Sequence, residues 1–165
     1  MAVQTTYQIN HEAAYAGMVA DLQVCNTISK LNKSDTVNIP YGYGVVTDGD
    51  NGATTPNSTA TAAEFIGIAM RELDRAYQDD EVFGAQARRP FTVVTHGVVW
   101  VNAEVAVAKD DPVFLIVSDG TGTDQGKWSN VVGAGATLAV EIPGAKWVSS
   151  AASGALAKIS LGLGG

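Results

Sequence analysis

The sequence predicts an all-β protein, a small antiparallel β-barrel or jelly-roll-like sandwich with an extended N-terminal arm and long surface loops. Three observations carry that expectation. From Asp35 onward, short β-branched runs alternate with turn residues at a spacing typical of sandwiches and barrels. Helical periodicity is nearly absent. The 165 residues include 18 glycines, while only 16% are charged against a usual ~25%.

Taken in chain order, the expected strands are Thr36 to Pro40, Tyr43 to Thr47, Glu64 to Arg71, Phe91 to Asn102, Pro112 to Ser118, Gly126 to Asn130, Thr137 to Ile142, Ala145 to Ser149 and Leu156 to Leu161. The run Phe91-Thr-Val-Val-Thr-His-Gly-Val-Val-Trp-Val-Asn is the longest. Gly97 in its middle signals a bulge where a sheet bends around a small barrel. Asp48-Gly-Asp-Asn-Gly, Asp110-Asp-Pro, Asp119-Gly-Thr-Gly and Pro143-Gly supply the turn chemistry between strands. Residues 49–63 offer little to a core and read as a long mobile loop, and Leu73 to Arg89 reads as a second. Residues 35–165 therefore form one β domain, and residues 1–34 an arm. The arm's scattered apolar residues fit either an extra strand on its own sheet or a reach over a neighbouring subunit.

Composition also narrows function. Ten basic against seventeen acidic residues give a net charge of −7, which repels phosphate and argues against nucleic acid. No apolar run has the length of a membrane helix, and Met1-Ala-Val-Gln-Thr-Thr has no basic-then-apolar signal pattern, so the expectation is a soluble protein kept inside a cell. Cys25 is the one cysteine, with no local elbow or second cysteine beside it, and His11 and His96 are the two histidines. Neither a nucleophile with its base nor a closed zinc site can be assembled from these. Asp48-Gly-Asp-Asn-Gly starts like a calcium loop, but Gly52 and Thr59 stand where ligands belong. The remaining acids cluster in turns, so no catalytic residue and no cofactor is expected.

Surface and shape then become the relevant properties. Trp128, in Gly126-Lys-Trp-Ser-Asn after a glycine-rich turn, is the best tryptophan for a partner-facing ring, with core the ordinary alternative. A partner-facing Trp128 with acidic turns would suit a carbohydrate or host-surface binding module.

Several segments in order resemble the bacteriophage head decoration, or structural cement, proteins. They are Ala16-Gly-Met-Val-Ala-Asp21, Ile39-Pro-Tyr-Gly-Tyr-Gly-Val-Val46, Phe65-Ile-Gly-Ile-Ala69, Val93-Val-Thr-His-Gly-Val-Val-Trp-Val101, Asp111-Pro-Val-Phe114, and Ala145-Lys-Trp-Val through Leu156-Ala-Lys-Ile-Ser-Leu161. The resemblance covers most of the chain, and the order of the short motifs carries it. Asp110-Asp111 replaces the Gly-Asp common in such proteins, and residues 49–63 look like an insertion. The resemblance implies a non-enzymatic protein that binds the outer surface of an assembled head, with the major capsid protein as partner. It also implies a homo-oligomer, a trimer in preference to a dimer, with neither nucleic acid nor membrane bound. Val3, Tyr7, Ile9, Tyr15 and Met18 of the arm, together with Trp128, are the expected capsid or subunit contacts. Removing Met1 to Tyr15 should leave a folded domain that no longer decorates.

Overall fold

A computed structural model describes residues 14–21, 24–72 and 83–162. Eleven strands are present among them: β1 (Asn26–Asn32), β2 (Ile39–Pro40), β3 (Gly44–Asp48), β4 (Gly52–Thr54), β5 (Phe65–Ala69), β6 (Gly84–Ala85), β7 (Pro90–Asn102), β8 (Pro112–Ser118), β9 (Trp128–Ser129), β10 (Leu138–Trp147) and β11 (Leu156–Leu161), with one 3-10 turn at Ala62–Glu64. The all-β expectation holds.

The thirteen-residue β7 organises everything else. Its first half pairs with β1 on one flank and β5 on the other. Since β1 also meets β4, β4 meets β3 and β3 meets β5, these five strands close into a small barrel. The second half of β7 pairs with β11 and continues through β10 and β8 to β9 as an open sheet. A register slip between Asn26 and Thr27 leaves Thr95 as an extra residue in β7, and Gly97 follows at φ +131. The strand thus bends at the bulge the sequence announced, passing from the barrel into the sheet.

This plan explains why apolar residues come in pairs and not in strict alternation. Neighbouring side chains on a strand point to opposite faces, and here both faces are dry. Val45, Ala69 and Val93 fill the barrel interior with Ala53, Phe91, Ile39 and Ala85. Their neighbours Val46, Ile68 and Val94 point outward into a second core against β8, β10 and β11, which holds Leu115, Trp128, Trp147, Ile159 and Leu161. Each doublet places one side chain in each core, so the two layers share their strands.

Several elements differ from expectation, each for a physical reason. Asn26–Asn32, within the segment read from sequence as an arm, is a full barrel strand, the alternative of an extra strand on its own sheet. Asn32 is 0% exposed. Its amide donates to the Val37 and Ala85 carbonyls at 2.9 and 3.1 Å, and its Oδ1 accepts from the Ser34 N–H. An asparagine that ties the following loop to β6 does not look apolar, and that hid the strand. Part of residues 49–63 is β4 and the 3-10 turn, with Ala53 and Ala60 in the two cores. A barrel of five strands has room for little more than alanine at such positions, so a composition that seems to offer nothing is what the interior accepts. The β1–β4 pair is parallel, unlike its neighbours. Finally, Pro143-Gly144 does not end a strand. Proline lacks an N–H, and the β8 ladder is interrupted there, between Glu141 and Lys146; beyond it Lys146 still faces Pro112 of β8 while Lys146 and Trp147 also pair with β11.

Gly67 shows how tight the seam is. Its φ is +150, and a Cβ there would lie 2.1 Å from the Val94 carbonyl oxygen.

Candidate functional site

Among the described residues no group of three or more His, Cys, Asp or Glu side chains converges as a metal site would require. His96 lies on β7 opposite Asn26. Cys25 is half-buried against Gly97, and burial pushes its thiol above the ordinary value, which makes it less nucleophilic. The acids that do interact serve the loops. Asp119 accepts hydrogen bonds from the Thr121 and Thr123 hydroxyls and from the backbone N–H groups of Thr121, Gly122, Thr123 and Asp124. The Thr121 hydroxyl first, and then the other donors, hold its carboxyl well below the usual range. This carboxylate locks the turn after β8.

Lys127 is bracketed by Asp124 at 2.6 Å and Glu104 at 3.2 Å. Burial disfavours its charge, but the two carboxylates outweigh burial and raise its pKa above that of a free lysine. Tyr43 lies alongside, its phenol raised first by burial.

Trp128 is 1% exposed. Its Nε1 donates to the Gly42 carbonyl at 2.7 Å and its ring stands edge-on to Phe65 at 5.9 Å. The ring lies over Gly44, where a Cβ would approach it to 3.0 Å. The Tyr41-Gly-Tyr-Gly44 run is therefore the cradle of this indole. A ring so enclosed cannot face a partner, which corrects the assignment of Trp128 as a contact residue and removes the sugar-platform reading built on it.

Of the arm residues singled out, Val3, Tyr7 and Ile9 lie outside the described residues. Tyr15 and Met18 are part of the body. The Gly17 N–H donates to the Trp100 carbonyl at 2.7 Å, the Trp100 N–H donates to Met18 at 2.8 Å, and the Ala20 N–H donates to Val98. Tyr15 remains 48% exposed. The Arg71 guanidinium sits between the Tyr15 and Phe83 rings, 4.4 and 4.3 Å from their centroids. Tyr41 meets Phe83 edge-on, and these residues line a cavity of about 480 Å³.

The sequence did not announce one exposed apolar stretch of the described residues. Residues 130–140 contain no ionisable side chain. Val131, Val132 and Leu138 stand exposed on this tongue, which is closed by the Ala139 N–H donating to the Val132 carbonyl. Beneath it runs a groove of about 550 Å³ whose walls combine Val105, Ile116, Ala134 and Ala139 with the carboxylates Glu104 and Asp124 at its side. Exposed apolar area of this kind is where a partner protein gains most from contact. The arrangement offers adhesion: a stiff body, a pinned turn and an uncharged projecting rim.

Comparison with known proteins gives the same direction. The profile of the family described as structural cement protein (E217 gp24/Pam3 gp6) matches residues 3–162. A solved chain from "The capsid of Myoviridae Phage XM1" superposes with a TM-score of 0.72 at 19% identity, covering 99% of both chains. No curated protein sequence matches.

Proposed function

The chain belongs to the structural cement protein family, and from that premise we propose that it binds the outer surface of an assembled phage head and stabilises it by bridging neighbouring capsid subunits. The family match across nearly the whole chain is the observation that carries this reading. The family is structural, and the virion is its place. The physical logic needs no reaction. A protein that binds the assembled lattice but not its free subunits lowers the free energy of the lattice by RT ln(1 + [L]/Kd) per site. A copy that holds two neighbours makes its second contact at high effective concentration, so interfaces of roughly 1,000 Å² suffice.

The major capsid protein is the proposed partner, and the tongue carrying Val131, Val132 and Leu138 is the proposed grip. Val3, Tyr7 and Ile9 are the proposed bridge to a neighbour. A homo-oligomer, trimeric at local threefold positions, fits a lattice decoration. Truncation should stop before Ala14, because Ala14 is buried and Tyr15 packs on Arg71. Heads stripped of this protein, mixed with the purified chain and sedimented, test the proposal. Saturable co-sedimentation and a raised disruption temperature are expected, and absence of binding overturns it.

A further inference from the structure

Strand β1 has an open edge. It pairs with β7 from Asn26 to Leu31, but with β4 only at Leu31 and Asn32. The Leu31 N–H points to the β4 side, where it donates to Asn51, and the Asn32 N–H points to the β7 side, where it donates to Arg89. Strand alternation therefore turns the N–H and C=O groups of Ser29 and Thr27 to the same side as those of Leu31. Among the described residues nothing hydrogen-bonds them there. Asn26 to Ser29 are all exposed, Ile28 included. Native sheets guard such edges with proline, clustered charge or a covering segment. Here the single charge, Lys30, is folded down onto the Asp50 carbonyl at 2.8 Å.

The chain also carries a segment suited to that edge. Within the first ten residues, Val3, Thr5, Tyr7 and Ile9 alternate with Gln4, Thr6, Gln8 and Asn10, a period of two in residues of high strand preference. No Asp, Glu, Lys, Arg, His or Pro interrupts them. The stretch from Val3 to Ile9 is long enough to cover the part of β1 ahead of Leu31 that β4 leaves open. The described chain begins at Ala14, ahead of a stretch that lies on the flank of β7 away from β1. Gly17 sits against Ala69 and Arg71 on the β5 flank of β7, whereas β1 lies on the other flank.

We propose that Val3–Ile9 of one copy adds as a strand to the open edge of β1 in a neighbouring copy, so that decorating molecules are linked to one another by backbone hydrogen bonds. This rests on the reading of the chain as a cement and names what its N-terminal bridge grips. Main-chain pairing supplies affinity, and the apolar residues of the added strand supply register.

The test uses full-length chains in a Cys25→Ser background. Donor chains carry Val3→Cys, Thr5→Cys or Tyr7→Cys in turn, and acceptor chains carry Thr27→Cys. Donor and acceptor are mixed at high concentration, and separately on decorated heads, with a mild oxidant. Donor–acceptor dimers in either setting are expected, and adding Ser29→Pro to the acceptor should abolish them. Proline is tolerated where the N–H faces away from the ladder, so that variant keeps its melting temperature and removes only the edge donor. Three results overturn the proposal: closure within one chain when a Thr5→Cys/Thr27→Cys double variant is diluted, acceptor–acceptor dimers in place of mixed ones, or no mixed dimer in both settings. Co-sedimentation of the unmodified chain with heads is scored independently. A failure there removes the cement reading, while the solution cross-link still judges strand addition.

Discussion

Two buried tryptophans are paired in opposite ways, and that difference can be measured. Trp128 gives its N–H to the Gly42 carbonyl at 2.7 Å, whereas the fully buried Trp147 has no acceptor for its own. Replacing either with phenylalanine removes roughly 40 Å³ of side chain, which at about 24 cal/mol per Å³ costs ~1 kcal/mol. Trp128→Phe also leaves the Gly42 carbonyl without its donor, which adds about 1–3 kcal/mol. Trp147→Phe instead removes an unmatched buried N–H, which returns an amount of that same order and brings the net change near zero. For a chain of this size ~3 kcal/mol lowers the melting temperature by about 6–12 °C. Urea unfolding and calorimetry should therefore separate the variants clearly, while head occupancy at a temperature where both are folded stays unchanged. Equal costs for the two substitutions would refute the hydrogen-bond argument, and loss of occupancy by folded Trp128→Phe would restore that ring as a contact.

Gly67→Ala should cost at least about 3 kcal/mol, because the new methyl meets the Val94 carbonyl at a positive φ; soluble yield and the urea midpoint report it. Asn32→Ala should lose about 2–4 kcal/mol by orphaning the Val37 and Ala85 carbonyls, and hydrogen exchange should rise first around residues 33–38 and 84–89. Val132→Asp, at a position 64% exposed, should leave stability within about 0.5 kcal/mol. If the tongue is the capsid grip, the buried charge should weaken head binding about 100-fold in co-sedimentation. The Asp119 carboxyl is held below its ordinary 3.8, so its contribution is complete above that pH and is lost as pH falls below it. Asp119→Asn should accordingly be less stable than the parent at neutral pH, with the gap closing under acid titration followed by thermal melts.

The parts of the fold legible in sequence are those where local pattern and tertiary role coincide. β7, β8 and β11 were read within one residue of their ends because each is a β-branched run bounded by turn chemistry. β1 and β4 were not, since their pairing depends on barrel closure. Asn-Thr-Ile-Ser-Lys-Leu-Asn looks solvated until Asn32 meets the loops it satisfies, and Gly-Ala-Thr looks empty until the barrel proves narrow. Trp128 was open to two readings because a glycine-rich turn precedes both exposed and enclosed rings. What decides it is Tyr41-Gly-Tyr-Gly44, far away in sequence, folding over the indole. The tongue of residues 130–140 was hidden for the opposite reason: valine and alanine without charge signal core by default, and only the hairpin shows them outside.

A density map of the virion at side-chain resolution tests the adhesive account most directly. The account expects the two-core domain on the outer face of the head, with residues 130–140 against the major capsid protein and the N-terminal strand laid along β1 of an adjacent copy. Density for the domain inside the shell or on the tail, or a particle without the protein, would contradict it.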